Sequence, residues 1–211
     1  MRKFQTLVLS VFIIGSAIGF AQEPKPIQLP PPQTEIGKPL MQALKLRQTS
    51  RSFSSKPLPL QELSNLLWAA NGINRTDSGK RTAPTARNWQ EVDVYVALPE
   101  ALYLYEAKGH SLTLVVAKDL REATGAQPFV KDAPLELVYV VDGARMQNAS
   151  EQDKKNGIDV GFVSQNVYLY CASQGLATVV RGSVDRPSLS KAMNLRPEQN
   201  IILAQTVGYP K

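Results

Sequence analysis

The sequence predicts an α+β domain, a mainly antiparallel sheet with helices packed against it. Three observations lead there. Apolar or alternating runs of strand composition crowd between residues 92 and 142 and return at 177–182 and 201–210. Two amphipathic helical patterns precede them, and one long apolar helical pattern, Ile158 to Gly175, interrupts them. With 211 residues the chain is long enough for one domain with a proper core and too short for two large ones.

The elements follow in order. Arg2 and Lys3 precede an uncharged apolar run from Leu7 to Phe20, and small residues surround a cut after Ala21. This is the three-part pattern of a secretory signal, so residues 1–21 are expected to be removed and the protein exported, periplasmic or secreted. A retained span needs about 20 apolar residues, and this run is shorter, so no stable membrane anchor is expected after cleavage. Residues 22–36 hold five of the 15 prolines and read as an extended linker to a domain at 37–211. Leu40, Met41 and Leu44 give a short helix within Lys38–Gln48. Pro59 opens a second helix, Leu60 to Ala70, which Asn71-Gly72 stops. A polar loop then runs to about Gln90, with lid candidates at 72–81 and 145–156.

Four strand-like runs follow: VDVYVAL, ALYLYEA, SLTLVVA and, after a short helical piece near DLREAT, LELVYVVD. Lys108-Gly109-His110 makes the second and third a hairpin. Ile158 to Gly175 is apolar around most of its circumference, which predicts burial in the protein or in a subunit interface. ATVVRG is a strand or loop, PSLSKAMN a short helix, and IILAQTVGYP the last strand.

Composition excludes several functions. The net charge is +6, or +4 without Arg2 and Lys3, and the positive residues are scattered. No basic stripe with interleaved aromatics points to nucleic acid. The one histidine, His110, falls in a turn and reads as solvated, which leaves no histidine-rich metal site. The lone Cys171, inside VYLYCAS, reads as a small buried hydrophobe. Glu151 and Asp153 lie in a polar stretch and read as solvated and flexible. No dinucleotide, P-loop, zinc-protease or calcium-loop pattern is present.

Three polar clusters remain: RQTSRSF at 47–53, PTARNWQ at 84–90 and VVRGSVD at 179–185. Arg47 and Arg51, four residues apart at a helix end, could face one anion, because guanidinium forks and hydroxyl donors suit phosphate oxygens. A solvated helix end is the plain alternative.

RQTSRSF resembles the RxSxRxF opening of the FMN-dependent nitroreductase superfamily, with Thr49 where serine is commoner. PTARNWQ resembles that family's PSxxNxQP loop, with Glu91 in place of the last proline. GFVSQNVYLYCASQGLATVVRG resembles its long central helix and following strand, and VGYPK its last core strand. The resemblance runs from about Leu40 to Lys211. It implies an FMN-binding homodimer with the flavin at the subunit interface. Arg47, Gln48, Thr49 and Arg51 would hold the ribityl phosphate. Pro84, Thr85, Asn88 and Gln90 would approach from the partner subunit, and the Val180, Arg181 and Gly182 backbone would border the ring.

The implied activity is ping-pong hydride transfer from NAD(P)H or another donor to an electron-poor small molecule, in which no residue of the chain acts as acid or base. ALYLYEAKGHSLTLV with GAQPFVKDAPLELVYV looks most like the SagB/ThcOx branch. The Lys-Tyr pair of that branch's azoline oxidases is absent here, where Lys154 and Lys155 have no adjacent tyrosine. The alternatives are a flavin-binding protein without turnover and an interaction module without flavin.

Overall fold

The computed structural model of the chain describes residues 26–211. The expected signal, 1–21, lies outside the described residues. The strands are β1 (Ile27–Gln28), β2 (Ile73–Arg75), β3 (Lys80–Arg81), β4 (Val92–Ala97), β5 (Leu102–Glu106), β6 (Ser111–Val116), β7 (Leu135–Asp142), β8 (Ala177–Arg181) and β9 (Gln199–Gly208). The α-helices are α1 (Leu40–Leu46), α2 (Leu60–Asn71), α3 (Glu151–Asn156), α4 (Ile158–Gln174) and α5 (Arg186–Ala192). Seven strands form one sheet in the order β1-β6-β5-β4-β7-β9-β8, and every adjacent pair is antiparallel.

β7 is the centre of the molecule. All eight of its residues are buried, because both faces of the sheet are covered there. Leu135, Leu137, Tyr139 and Val141 meet α2 and α4 on one face, through Leu66, Leu67, Val163 and Val167. Val138 and Val140 meet α5 on the other, through Leu189 and Met193. A strand buried on both sides reads as a continuous apolar run, which LELVYVVD nearly is. Glu136 inside the strand and Asp142 at its end are the exceptions.

α4 is bracketed by Gly157 and Gly175, both left-handed (φ 60° and 76°). A Cβ at Gly157 would also lie 2.5 Å from an Ile202 methyl carbon. Val160, Val163, Val167 and Cys171 face the core. Ile158 and Phe162 stay exposed, as do Leu40, Met41, Leu44 and Leu46 of α1. The all-round apolarity of α4 thus divides into a buried face and an uncovered one.

Several expectations need correction. The proline-rich stretch is extended as predicted, but its described part is no free linker. β1 pairs with β6 through Ile27–Leu112 and Gln28–Ser111, Leu29 is buried, and the Ser64 hydroxyl donates to the Pro30 carbonyl. Proline suits such an edge because the missing N–H faces no partner strand. His110 is not a solvated turn residue. Its Nε2 lies 2.7 Å from Ser64 Oγ and 3.1 Å from the Pro30 carbonyl, and its Nδ1 2.9 Å from the Tyr105 hydroxyl. Burial holds the imidazole below its usual pKa, so it works as a neutral peg for the N-terminal strap.

The two lid candidates are ordered elements. Residues 73–81 form the β2–β3 hairpin. Glu151–Asn156 is α3, started by a capping box in which Ser150 Oγ accepts the Asp153 N–H and Asp153 reaches back. Cys171 is buried as expected, and burial pushes its thiol up. Among the described residues no helix is long and apolar enough to cross a membrane.

Candidate functional site

The site is built where the segment after α1 runs along the free edge of β8. Arg47 ends α1, its N–H donating to the Ala43 carbonyl at 2.8 Å. The chain then extends. The Ser50 N–H donates to the Thr178 carbonyl at 3.0 Å, Phe53 bridges to Pro210, and the Ser54 N–H donates to the Tyr209 carbonyl at 2.8 Å. Phe53 anchors the segment against Phe129, ring centroids 5.5 Å apart. The backbone of RQTSRSF is therefore laid against the sheet edge, while the side chains of Gln48, Thr49, Arg51 and Ser52 stay exposed.

Tyr168 of α4 is the pivot. Its hydroxyl accepts the Val180 N–H at 3.0 Å and lies 3.1 Å from Thr49 Oγ1. The Arg47 guanidinium sits over its ring, 5.3 Å from the centroid. One side chain thus joins the first cluster to the third. Sequence reasoning missed it; the signal was a tyrosine with a polar tip inside an otherwise apolar helix, where a buried hydroxyl requires a partner.

Beside this junction is a cavity of about 230 Å³ lined by Lys38, Gln48, Ser50, Tyr168, Thr178 and Leu176, among others, with no carboxylate of the described residues in its wall. Gln48 is exposed at its wall, and Thr49 and Arg51, the next predicted residues along the chain, are exposed outside it. The donor set is cationic and rich in hydroxyls, amides and backbone N–H groups, which fits an anion such as phosphate.

At the end of β8, Val180 is half-buried and Gly182 exposed. The Arg181 side chain leaves by the opposite face. There it pairs with Glu136 and donates to the Thr124 carbonyl at 2.8 Å. The Thr206 hydroxyl lies 2.9 Å from both Glu136 oxygens. Burial pushes the Glu136 carboxyl up, against the pull of Arg181 and Thr206. Gly125 leaves room for the guanidinium, since a Cβ there would lie 1.7 Å from Arg181 Nη1. Only the Arg181 backbone remains available at the sheet edge. The one charge inside LELVYVVD, ahead of the Asp142 that ends the strand, was the sequence signal for this pair.

The second cluster lies elsewhere. The Ala86 N–H donates to Asp159 Oδ2 at 2.8 Å, at the start of α4, and Thr85 Oγ1 accepts the Gln90 N–H at 3.0 Å. Gln90 is fixed further by Arg81 Nε at 2.9 Å and by the Gly79 carbonyl at 3.0 Å. Asp159 and Tyr168 are nine positions apart on one helix, an axial rise of about 13 Å. One chain therefore joins residues 47–51 to Val180 and keeps Pro84, Thr85, Asn88 and Gln90 apart from both. Arg87, Asn88 and Gln90 have positive φ (51°, 56° and 51°), a conformation that the surrounding bonds must hold in place. Pro84 and Asn88 are exposed.

Glu91, the departure from the family loop, is 2 % exposed. Its Oε2 has no donor within reach, and the Asp159 carboxyl is beside it. Burial, with Asp159 adding to it, pushes Glu91 up to about 7. Two acceptors facing each other close into a hydrogen bond only when one carries a proton.

Comparison with known proteins identifies the family and the fold. The nitroreductase family model matches residues 44–209. A protein of Methanocaldococcus jannaschii named "Putative nitroreductase MJ1384" is 31 % identical, covering 71 % of this chain and 84 % of its own. The crystal structure of a "putative nitroreductase" from Ralstonia eutropha JMP134 is 43 % identical, covers 96 % of this chain and 97 % of its own, and superposes with a TM-score of 0.84. The E. coli microcin synthetase McbBCD complex shares the fold, with a TM-score of 0.68 at 18 % identity over 100 % of this chain and 78 % of the matched chain. A match over 166 residues of sequence (44–209), on a seven-stranded antiparallel sheet of this order, places the chain in the nitroreductase family.

Proposed function

We propose that the chain is an exported FMN-dependent oxidoreductase that works as a homodimer. The observation that carries this reading is the junction at Tyr168. It holds a cationic, carboxylate-free cradle against the free edge of β8. Bound there, FMN would supply hydride chemistry at N5, taking electrons from NAD(P)H or another donor and passing them to an electron-poor small molecule in a second half-reaction.

The chain's own residues bind and orient. Arg47 and Arg51 would neutralise the phosphate, with Gln48 and Thr49 as further donors. The Val180–Gly182 backbone would lie along the ring edge, where N–H groups stabilise developing negative charge. Tyr168 would keep the two in register. Pro84, Thr85, Asn88 and Gln90 would serve the site of a second copy. The uncovered apolar residues of α1 and α4 support that dimer, since a patch of that kind is covered in use. The β5–β6 hairpin and the segment into β7 favour the SagB/ThcOx branch, without its azoline substrate.

The test is an absorbance spectrum of the chain from Gln22, beside an Arg47→Ala/Arg51→Ala variant, followed by anaerobic NADH or NADPH. A flavin band in the wild type that the variant loses and nicotinamide bleaches is the expected result. A band that never bleaches with any reductant would turn the reading to flavin binding without turnover. No band, even with added FMN, would refute it.

A further inference from the structure

A larger cavity, of about 900 Å³, lies away from the Tyr168 junction, between the N-terminal strap, α2, the β2–β3 hairpin and the β5–β6 turn. That volume is in the range of small-molecule sites. Its apolar wall comes from Leu29, Pro31, Pro32, Trp68, Ile73 and Ala107. Among the described residues its charged side chains are Arg81 and Lys108, with no aspartate or glutamate in the wall.

We propose that this cavity is a second ligand site, for a small apolar molecule carrying a carboxylate.

Arg81 is the reason for the carboxylate. Its guanidinium is half-buried, with Nε on Gln90 Oε1 at 2.9 Å and Nη1 on the Asn71 carbonyl at 3.1 Å. Nη2 is left without a protein acceptor, and among the described residues Arg81 has no ion pair within 4.0 Å. Of the two acids near it, Asp93 is taken by Arg145 at 2.5 Å, and the exposed Glu106 forms no ion pair with it. Burial first and then the nearby Arg145 disfavour the charge on Arg81, against a weaker pull from Tyr105, Asp93 and Glu106. A half-buried cation in this position, with one nitrogen open to the cavity, gains most from an anion with two oxygens. The neutral His110 peg on the same wall adds no competing charge, and the Lys108 ammonium at the rim adds a second attraction. Trp68 and the prolines offer rigid apolar surface for the rest of the molecule. Arg81 also holds Gln90, so an occupant would be felt in the 84–90 segment. The binding itself does not rest on the flavin reading.

The probes are decanoate and decan-1-ol, which share an apolar body and differ in charge. They are titrated into the purified protein with no flavin added. Trp68 emission is the readout, in a Trp89→Phe background that removes the only other tryptophan. The expected result is saturable decanoate binding, with decanol at least tenfold weaker. Arg81→Gln should cost decanoate at least tenfold and leave decanol unchanged, while Arg81→Lys retains most of the binding. Decanol binding as tightly as decanoate, no saturation by decanoate, or wild-type decanoate affinity in a folded Arg81→Gln would overturn the proposal. Should Arg81→Gln fail to fold, Lys108→Gln must still show a loss specific to decanoate, and its absence overturns the proposal equally.

Discussion

Tyr168 and Glu91 are polar groups whose burial forces a partner on them. Replacing Tyr168 with phenylalanine leaves the ring under Arg47 but removes the acceptor for the Val180 N–H and the neighbour of Thr49. The expected cost is about 1–3 kcal/mol, read by urea denaturation. A loss below a few tenths would show that the junction is incidental. Glu91 has its pKa raised to about 7 from an ordinary 4.5. A raised carboxyl contributes stability that is present below the unfolded value and lost as pH rises through the folded one. Glu91→Gln should therefore gain on the wild type in melting temperature by a few degrees between about pH 4.5 and 7 and keep the gain above it. Parallel curves across that window would mean that Glu91 does not share a proton with Asp159. Neither residue could have been assigned from the sequence alone. The apolar setting of Tyr168 and the replaced proline at Glu91 were visible, whereas their partners, Val180 and Asp159, come from packing that local patterns do not encode.

The elements with a strong period were legible, and those built by pairing were not. LELVYVVD and the Gly175 stop of α4 coincide with the predicted bounds because a doubly buried strand and a left-handed helix end impose unambiguous residue choices. The prolines of residues 26–32 encode extension but not its partner, so β1 read as a linker. The capping box of α3 was written in Ser150 and Asp153 and was overlooked among polar residues. Two substitutions weigh these elements. Leu66→Ala, on the fully buried face of α2, should cost about 2–5 kcal/mol by denaturant titration. Gly157→Ala should cost about 1–2 kcal/mol, or more where the Ile202 contact cannot yield. A neutral Gly157→Ala would mean that the junction of α3 and α4 relaxes freely.

At the scale of the whole molecule, one chain does not bring the three polar clusters together. Two of the three clusters meet at Tyr168, the third sits at the far end of α4, and apolar side chains such as Met41, 75 % exposed, stand open on α1 and α4. A dimer answers both facts. Met41→Glu with Phe162→Glu should weaken self-association roughly a hundredfold, about 1.4 kcal/mol for each of the two substitutions, in sedimentation velocity. A monomeric wild type would remove the need for the change. The family and the sheet could be read from ordered motifs along the sequence, but the separation of the clusters within one chain could only be seen in the fold.

The most direct test of the central claim compares FMN with riboflavin, which lacks the phosphate, in equilibrium titrations of the wild type and of Arg51→Ala. The account predicts that the wild type prefers FMN by at least tenfold and that the variant loses this preference while still binding riboflavin. Equal affinity of the wild type for the two flavins, or an undiminished preference in Arg51→Ala and in the Arg47→Ala/Arg51→Ala variant, would contradict a phosphate cradle at residues 47–51.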